Sequence, residues 1–231
     1  METSAAQFVE RLEALRPPGA AGPDDYHGVA MGQIFGLARE CQDMSPAEIE
    51  RLLDSPVHAV RVGAVSIMDF QARDRKRPAE RKRELYELYL RRHDRIDTWD
   101  LVDRSAIWVV GEYLVDKPRD VLDRLARSDS PMERRTAILA TFAFIRRGEL
   151  DDAYRIAELL VDDPEDTVHK AVGWMLREAG KRDPARQAAF LERHAATMPR
   201  VMLRYAIEKL DKPTRDRWLA MKRPPDLEED D

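Results

Sequence analysis

Proline steps recur in this sequence at an interval of a little over thirty residues, and this spacing constrains the fold more than any other feature. The last three steps place Pro131, Pro164 and Pro199 at separations of 33 and 35 residues. Each interval has room for two helices and their turns. Periods of this length are typical of helical-repeat solenoids, in which every unit packs on its neighbours. We therefore predict a stack of helical pairs.

Apolar residues recur at helical spacing along most of the chain, and no segment alternates as a strand would. The predicted helical segments are 48–53, 57–70, 80–90, 121–126, 134–145, 154–161, 168–179 and 201–210. Before Pro56, Pro131 and Pro164 stands a Ser or an Asp, which predicts a capped helix that begins at each proline. The sequence therefore predicts an all-α fold.

A basic residue follows each predicted helix start and is usually succeeded, after one spacer, by a small residue. The five copies lie 43, 31, 35 and 34 residues apart, and they are Arg61, Arg104, Arg135, Lys170 and Arg204. In a stack of parallel units, such cations would form a ladder along one face and could follow the phosphates of DNA. Alternatively, each cation caps or pairs with an acid on the next helix. The pattern does not choose between these interpretations.

The charge distribution permits a nucleic-acid partner although the formal net charge is −5. Five of the six residues in 226–231 are acidic, so the rest of the chain is nearly neutral. Residues 71–95 contain ten Lys or Arg and five acids. This local excess can attract phosphate, although solvated helix ends would have the same composition.

Other function classes are made improbable by what the sequence lacks. Cys41 is the single cysteine, which excludes an intramolecular disulfide. No apolar run approaches the roughly 18–20 residues that a membrane span needs. The first fifteen residues are typical of a charged amphipathic helix and not of a signal peptide. We expect a cytoplasmic, nucleoid-associated protein without a membrane contact.

Trp99 and Asp103 are the strongest candidates for chemistry. They are four residues apart, so on a helix they share one face. An indole beside a carboxylate can hold an electron-poor sugar or base. The alternative is that Trp99 packs in the core and Asp103 pairs with an arginine. Trp174 follows Lys170 by four residues and shares its face, whereas Trp108 and Trp218 are predicted to be packing residues.

Four strings resemble the AlkD-like DNA alkylation repair family in residues, order and separation. They are Trp99–Asp103, Glu133–Leu139, His169–Arg182 and Met198–Ala206. The resemblance extends from about residue 26 to 218. It implies a right-handed superhelical stack of HEAT-like repeats with DNA in its concave, basic face. It also implies excision of cationic N3- and N7-alkylated purines without flipping the base.

The resemblance assigns roles to particular residues. Asp103 matches the catalytic carboxylate of the family, and Trp99 and Trp174 match its two active-site tryptophans. Arg135 matches an arginine that grips the DNA backbone, and Arg177 is a further backbone contact. We expect the other basic residues of the repeated pattern, Arg61, Arg104, Lys170 and Arg204, to contact the backbone too.

These patterns lead to one set of expectations and two alternatives. We expect a helix and linker in residues 1–23, a repeat domain in 24–222, and an acidic tail in 223–231. The expected partner is double-stranded DNA with alkylated purines, bound by a monomer. We expect no metal or organic cofactor, since the sequence contains no metal-ligand set and no phosphate-binding loop. The alternatives are an inactive module that binds DNA or a protein, and a scaffold without a nucleic-acid role.

Overall fold

A computed structural model describes residues 3–17 and 28–221 and confirms the all-α prediction. Within these residues there is no β-strand. The helices form two compact units, Met1–Pro118 and Arg119–Asp231. Most of the predicted linker and the whole predicted acidic tail lie outside the described residues. The predicted domain boundaries stay a prediction.

The first unit is built from short helices joined by tight turns. Its described α-helices are α1 (Ala5–Ala14), α2 (Met31–Glu40), α3 (Pro46–Leu53), α4 (His58–Arg73), α5 (Ala79–Arg91) and α6 (Trp99–Ala106). A 3₁₀ turn, His93–Arg95, precedes α6, and a π-helical segment, Ile107–Gly111, follows it. Helix α4 is the centre of this unit, because α2, α3, α5 and α6 all pack on it.

The second unit is built in the same way around α11. Its described α-helices are α7 (Asp120–Ala126), α8 (Pro131–Ala140), α9 (Phe142–Ile145), α10 (Asp151–Leu159), α11 (Asp166–Gly180), α12 (Pro184–His194), α13 (Arg200–Ile207) and α14 (Lys212–Ala220). Helix α11 packs on α8, α12 and α13. This packing buries Val168, Val172 and Leu176, which recur at four-residue spacing along one side of α11.

The amphipathic N-terminal helix is confirmed as α1. Ser4 caps it in a capping box with Gln7, and Phe8 and Leu12 are buried. The backbone N–H of Ala5 also donates to the Glu48 carboxylate at 2.7 Å. Helix α1 therefore belongs to the packed core of the first unit.

One of the three predicted Ser/Asp-Pro caps is correct and two are wrong. Ser130 caps α8 with Pro131 as the first helical residue. Ser55 and Asp163 instead accept the backbone N–H two residues further on, and their helices begin later, at His58 and Asp166. Such local turns are the usual competitor of a helix cap for these side chains. The same rule, applied to Ser45-Pro46 and Asp183-Pro184, would have found α3 and α12.

The single helix predicted over 134–145 is interrupted. Helix α8 ends at Ala140 and α9 begins at Phe142. Between them, the Thr141 hydroxyl donates to the carbonyl oxygen of Ile138 at 2.6 Å. This competition for a backbone acceptor explains the break in an otherwise helical pattern.

A recurring contact joins the start of a helix to the turn before it. Arg61, Arg134 and His169 are each the fourth residue of their helix. Each bonds a backbone carbonyl six residues earlier: Arg61 that of Ser55, Arg134 that of Ser128, and His169 that of Asp163. Carbonyls in the turns between helices have no intrahelical donor, so these side chains satisfy groups that would otherwise need water. This contact therefore recurs at the same helix position in α4, α8 and α11.

The close approach of α11 and α13 depends on Gly173. A Cβ at this position would lie 2.5 Å from both the carbonyl oxygen of Met202 and the Cβ of Tyr205. We expect Gly173→Ala to lower the free energy of unfolding by about 1–3 kcal/mol, because backbone atoms would have to move. Gly36→Ala is the matched control, since a Cβ on that helical glycine would meet nothing within 4 Å. The control should stabilise by about 0.5–1 kcal/mol in urea unfolding. Equal effects of both substitutions would contradict the close approach.

Candidate active site

Trp99 is the most exposed large hydrophobic side chain in the described part of the chain. It is the first residue of α6 and is 58% exposed. An indole usually buries most of its large apolar surface, so exposure of this degree makes Trp99 a candidate contact residue. The interpretation of Trp99 as a core residue is therefore wrong. Asp103 lies one helical turn further along the same face and is half-buried.

Asp97 and Asp100, two acids close to Trp99 in the sequence, both bond to neighbouring side chains. Asp97 accepts from Arg61 at 3.2 Å. Asp100 accepts from the Thr98 hydroxyl at 2.6 Å, and its other carboxylate oxygen lies 2.8 Å from Nε2 of His58. These contacts attach the first turn of α6 to the start of α4.

Arg104, which follows Asp103, points into the first unit. Its Nε donates to the Ser66 hydroxyl at 3.0 Å, and its guanidinium pairs with Asp69 at 3.1 Å. The guanidinium carbon also lies over two aromatic rings, at 4.4 Å from the centroid of Phe35 and 4.8 Å from that of Phe70. This side chain therefore joins α6 to α2 and α4.

The Arg104–Asp69 pair is buried, and burial shifts the pKa of both groups. The Asp69 side chain is 0% exposed, and that of Arg104 is 17% exposed. Desolvation raises the pKa of Asp69, while the charges of Arg104 and Arg73 oppose this rise. Desolvation likewise lowers the pKa of Arg104, against the favourable charge of Asp69. Each charge therefore depends on the other to stay ionised inside the unit.

The five basic residues do not share one helix position, so the predicted single register is wrong. Arg135, Lys170 and Arg204 are the fifth residues of α8, α11 and α13. Arg61 is the fourth residue of α4, and Arg104 is the sixth residue of α6. The fifth residue of α6 is Asp103. Helix α6 of the first unit thus has an acid at the helix position that is occupied by a cation in α8, α11 and α13 of the second unit.

The fifth-position cations differ in what they contact. Arg135 is 5% exposed and donates to the backbone carbonyl and the hydroxyl of Thr167. Lys170 and Arg204 are exposed, and no hydrogen bond or ion pair joins their side chains to the described residues. Arg177 is largely buried between Glu178, at 3.2 Å, and Glu208. The internal contacts of Arg61, Arg104, Arg135 and Arg177 fit the alternative in which such cations cap and pair within the fold.

The tryptophans of the chain fall into different environments. Trp174 is half-buried on α11, with its ring centroid 6.3 Å from that of Phe142. Trp218 is 2% exposed, which confirms that it is a packing residue. Trp108, also predicted to pack, is only half-buried, and the Arg73 guanidinium covers its ring at 4.6 Å. Trp99 and Asp103 belong to the first unit, and Trp174, Arg135, Lys170, Arg177 and Arg204 belong to the second.

Sequence reasoning did not find the residues that hold α6 in place. His58, Ser66 and Asp69 lie on α4, about 35 to 42 residues before their partners. Asp69 stands in a run of apolar residues, where a lone acid is a signal for a buried ion pair. No spacing rule connects it to Arg104.

Two kinds of feature are absent from the described residues. No group of three or more His, Cys, Asp or Glu side chains there could hold a metal ion. None of the described helices combines the length and the apolar character that crossing a membrane requires.

Comparisons with known proteins give two matches and one negative result. A family model described as "DNA alkylation repair enzyme" matches residues 6–210. A solved structure described as a predicted DNA alkylation repair enzyme from Enterococcus faecalis superposes with a TM-score of 0.64 at 15% sequence identity. The match covers 90% of this chain and 95% of that one, and at this identity it supports the shared fold alone. A search of curated proteins found no match.

Proposed function

Because the chain belongs to the DNA alkylation repair enzyme family, we propose that it is a DNA glycosylase for cationic alkylated purines. The proposed reaction is hydrolysis of the N-glycosidic bond of N3- and N7-alkylpurines in double-stranded DNA. The observation that supports it best is the exposed indole of Trp99 one helical turn from the Asp103 carboxylate. Base excision of this kind would start the repair of alkylated DNA.

The chemistry asks little of the protein beyond charge stabilisation. A purine alkylated at N3 or N7 carries a positive charge, so it departs with the bonding electron pair as a neutral base and needs no protonation. The sugar left behind develops oxocarbenium character at C1′. A carboxylate next to that carbon stabilises the developing positive charge.

Asp103, Trp99 and Trp174 would have different roles in this reaction. Asp103 would stabilise the sugar cation and then accept a proton from the water that attacks C1′, which balances the hydrolysis. Trp99 offers an exposed π surface to the cationic nucleotide, an interaction worth about 0.5–2 kcal/mol. Trp174 is assigned a similar role by the resemblance.

This site would act without extruding the base into a deep pocket. The indole is exposed at the start of a helix, where a duplex could approach it. Enzymes that enclose a flipped base read it by hydrogen bonds inside a pocket. An open surface instead selects for the charge and bond strength of the lesion, so we propose that cationic character is the criterion of recognition.

We propose that exposed cations of the second unit supply the backbone contacts. Lys170 and Arg204 are the best candidates, because neither has a partner among the described residues. Arg135 and Arg177 could contact a phosphate only by extending or exchanging their present hydrogen bonds. The same holds for Arg61, which is bonded to Ser55, Pro56 and Asp97.

The catalytic assignment is tested with duplex DNA that contains 7-methylguanine. We expect the wild-type protein to release the free base, and Asp103→Asn to slow release by about 100-fold or more because the charge on the carboxylate is lost. Trp99→Ala and Trp174→Ala should each slow it by about two- to thirtyfold. Release is followed by chromatography under single-turnover conditions.

Asp120→Asn is the matched control for the loss of one negative charge. Asp120 is an exposed residue at the start of α7, outside the proposed site. Its substitution should leave the rate unchanged. Absence of release by the wild type would favour an inactive binding module, and release by Asp103→Asn at the wild-type rate would refute the role of this carboxylate.

The DNA contacts are tested through the salt dependence of binding. Lys170→Ala and Arg204→Ala should each weaken duplex binding and reduce the slope of log K against log salt by about 1, since each removes one phosphate contact. Neither change should alter the melting temperature. Lys181→Ala is the control, because Lys181 is already paired with Glu178 at 2.7 Å. An unchanged slope for both variants would exclude these residues from the interface.

A further inference from the structure

Helix α6 presents two parallel rows of side chains, each with a spacing of four residues. Trp99 and Asp103 form the row that we propose to be functional. Asp100 and Arg104 form the next row, one residue later and therefore about 100° around the helix. Both members of this second row are bonded to α4: Asp100 to His58 at 2.8 Å, and Arg104 to Ser66 at 3.0 Å and Asp69 at 3.1 Å.

The contacts of Asp100 and Arg104, one near each end of α6, fix the orientation of this helix as well as its distance from α4. Apolar packing alone tolerates small rotations and slides, whereas a guanidinium bonded to a hydroxyl and a carboxylate has one good geometry. The Arg104 guanidinium also contacts the rings of Phe35 and Phe70, which restricts it further. The rotation of α6 about its axis, and with it the direction of the row from Trp99 to Asp103, is set by these contacts.

The arrangement in α6 departs from the other repeats. In α8, α11 and α13 the fifth residue is a cation, and the sixth is Thr136, Ala171 and Tyr205 respectively. In α6 the fifth residue is Asp103 and the sixth is Arg104. The sixth residues of the other three helices are uncharged, so a pair at this position belongs to α6; α8 buries a different pair, Arg134 with Asp163.

On the basis of the proposed glycosylase function, we propose that Arg104 and Asp69 are positioning residues for Asp103. In this proposal Arg104 does not contact DNA. It holds the helix turn that carries the Asp103 carboxylate, and its guanidinium stays paired with Asp69. The buried pair therefore fixes the helix turn from which the carboxylate extends.

The test is a neutral replacement of the pair that can still form a hydrogen bond, Asp69→Asn with Arg104→Gln. We expect single-turnover release of 7-methylguanine at saturating protein to fall by about ten- to a hundredfold, since a displacement of about 1 Å can cost a factor of about 100. Affinity for undamaged duplex should stay within about twofold, because no phosphate contact is removed. Arg104→Lys, which keeps the charge on Asp69, should recover part of the rate.

The second unit offers a matched control. Arg119 pairs with Asp152 at 2.6 Å and lies over the ring of Phe144 at 3.7 Å, so its environment resembles that of Arg104. Arg119→Gln with Asp152→Asn should lower the melting temperature and leave the rate of the folded protein unchanged. If this variant slows release as much as the α6 variant does, the pair acts through stability and the proposal is overturned.

A spectroscopic readout separates positioning from stability. The chain has four tryptophans, so labelling with 5-fluorotryptophan gives four fluorine resonances, of which Trp99→Phe identifies one. In the Asp69→Asn/Arg104→Gln variant we expect the Trp99 resonance to move and that of the buried Trp218 to stay. Wild-type release together with an unaffected rate in this variant would overturn the positioning role and leave the glycosylase function intact. No release by the wild type would count against the proposed function itself, and an unmoved Trp99 resonance would refute the positioning geometry.

Discussion

Guanidinium and imidazole groups bonded to backbone carbonyls join the helices of this fold at their turns. Each turn between helices leaves carbonyls without an intrahelical donor, and a buried carbonyl without a partner is costly. Arg61, Arg134 and His169 satisfy carbonyls six residues before them, and Arg95 donates to the carbonyls of Leu53, Asp54 and Ser55. The high charged fraction of 36% is explained in part by this internal use of arginine.

The candidate site lies where the first unit departs from that arrangement. Helix α6 carries an acid at the position that holds a cation in α8, α11 and α13, and its own cation is turned onto Asp69. The exposed Trp99 and the π-helical segment that follows α6 are further departures. π-Helical segments are frequent at functional sites. These departures occur together in α6 and the segment that follows it, and together they support the choice of α6 as the candidate site.

The sequence predicted elements well where one local signal sufficed. Apolar periodicity identified α3, α4, α5 and α11, and Ser130-Pro131 located the start of α8. Helix α2 was missed because Ala30 gives it no capping side chain. The helix caps predicted at Ser55 and Asp163 were wrong because a cap and a local turn use the same side-chain oxygen.

The site was predictable in its residue types but not in its environment. The four-residue spacing of Trp99 and Asp103 placed them on one face, yet the same spacing allowed a buried indole. The partner of Arg104 could not be predicted, because Asp69 lies 35 residues earlier and only the packing of α6 on α4 brings them together. The regular interval of basic residues also concealed a shift of one residue at Arg61 and Arg104, which only the helix starts reveal.

We propose above all that the site formed by Trp99 and Asp103 selects lesions by the positive charge of the leaving base. The most direct measurement is the identity of the bases released from duplexes that each carry one lesion: 3-methyladenine, 7-methylguanine or the neutral O6-methylguanine. We predict release of the two cationic purines and retention of O6-methylguanine, measured by mass spectrometry of the free bases. Comparable release of the neutral lesion, or release of it alone, would contradict the account.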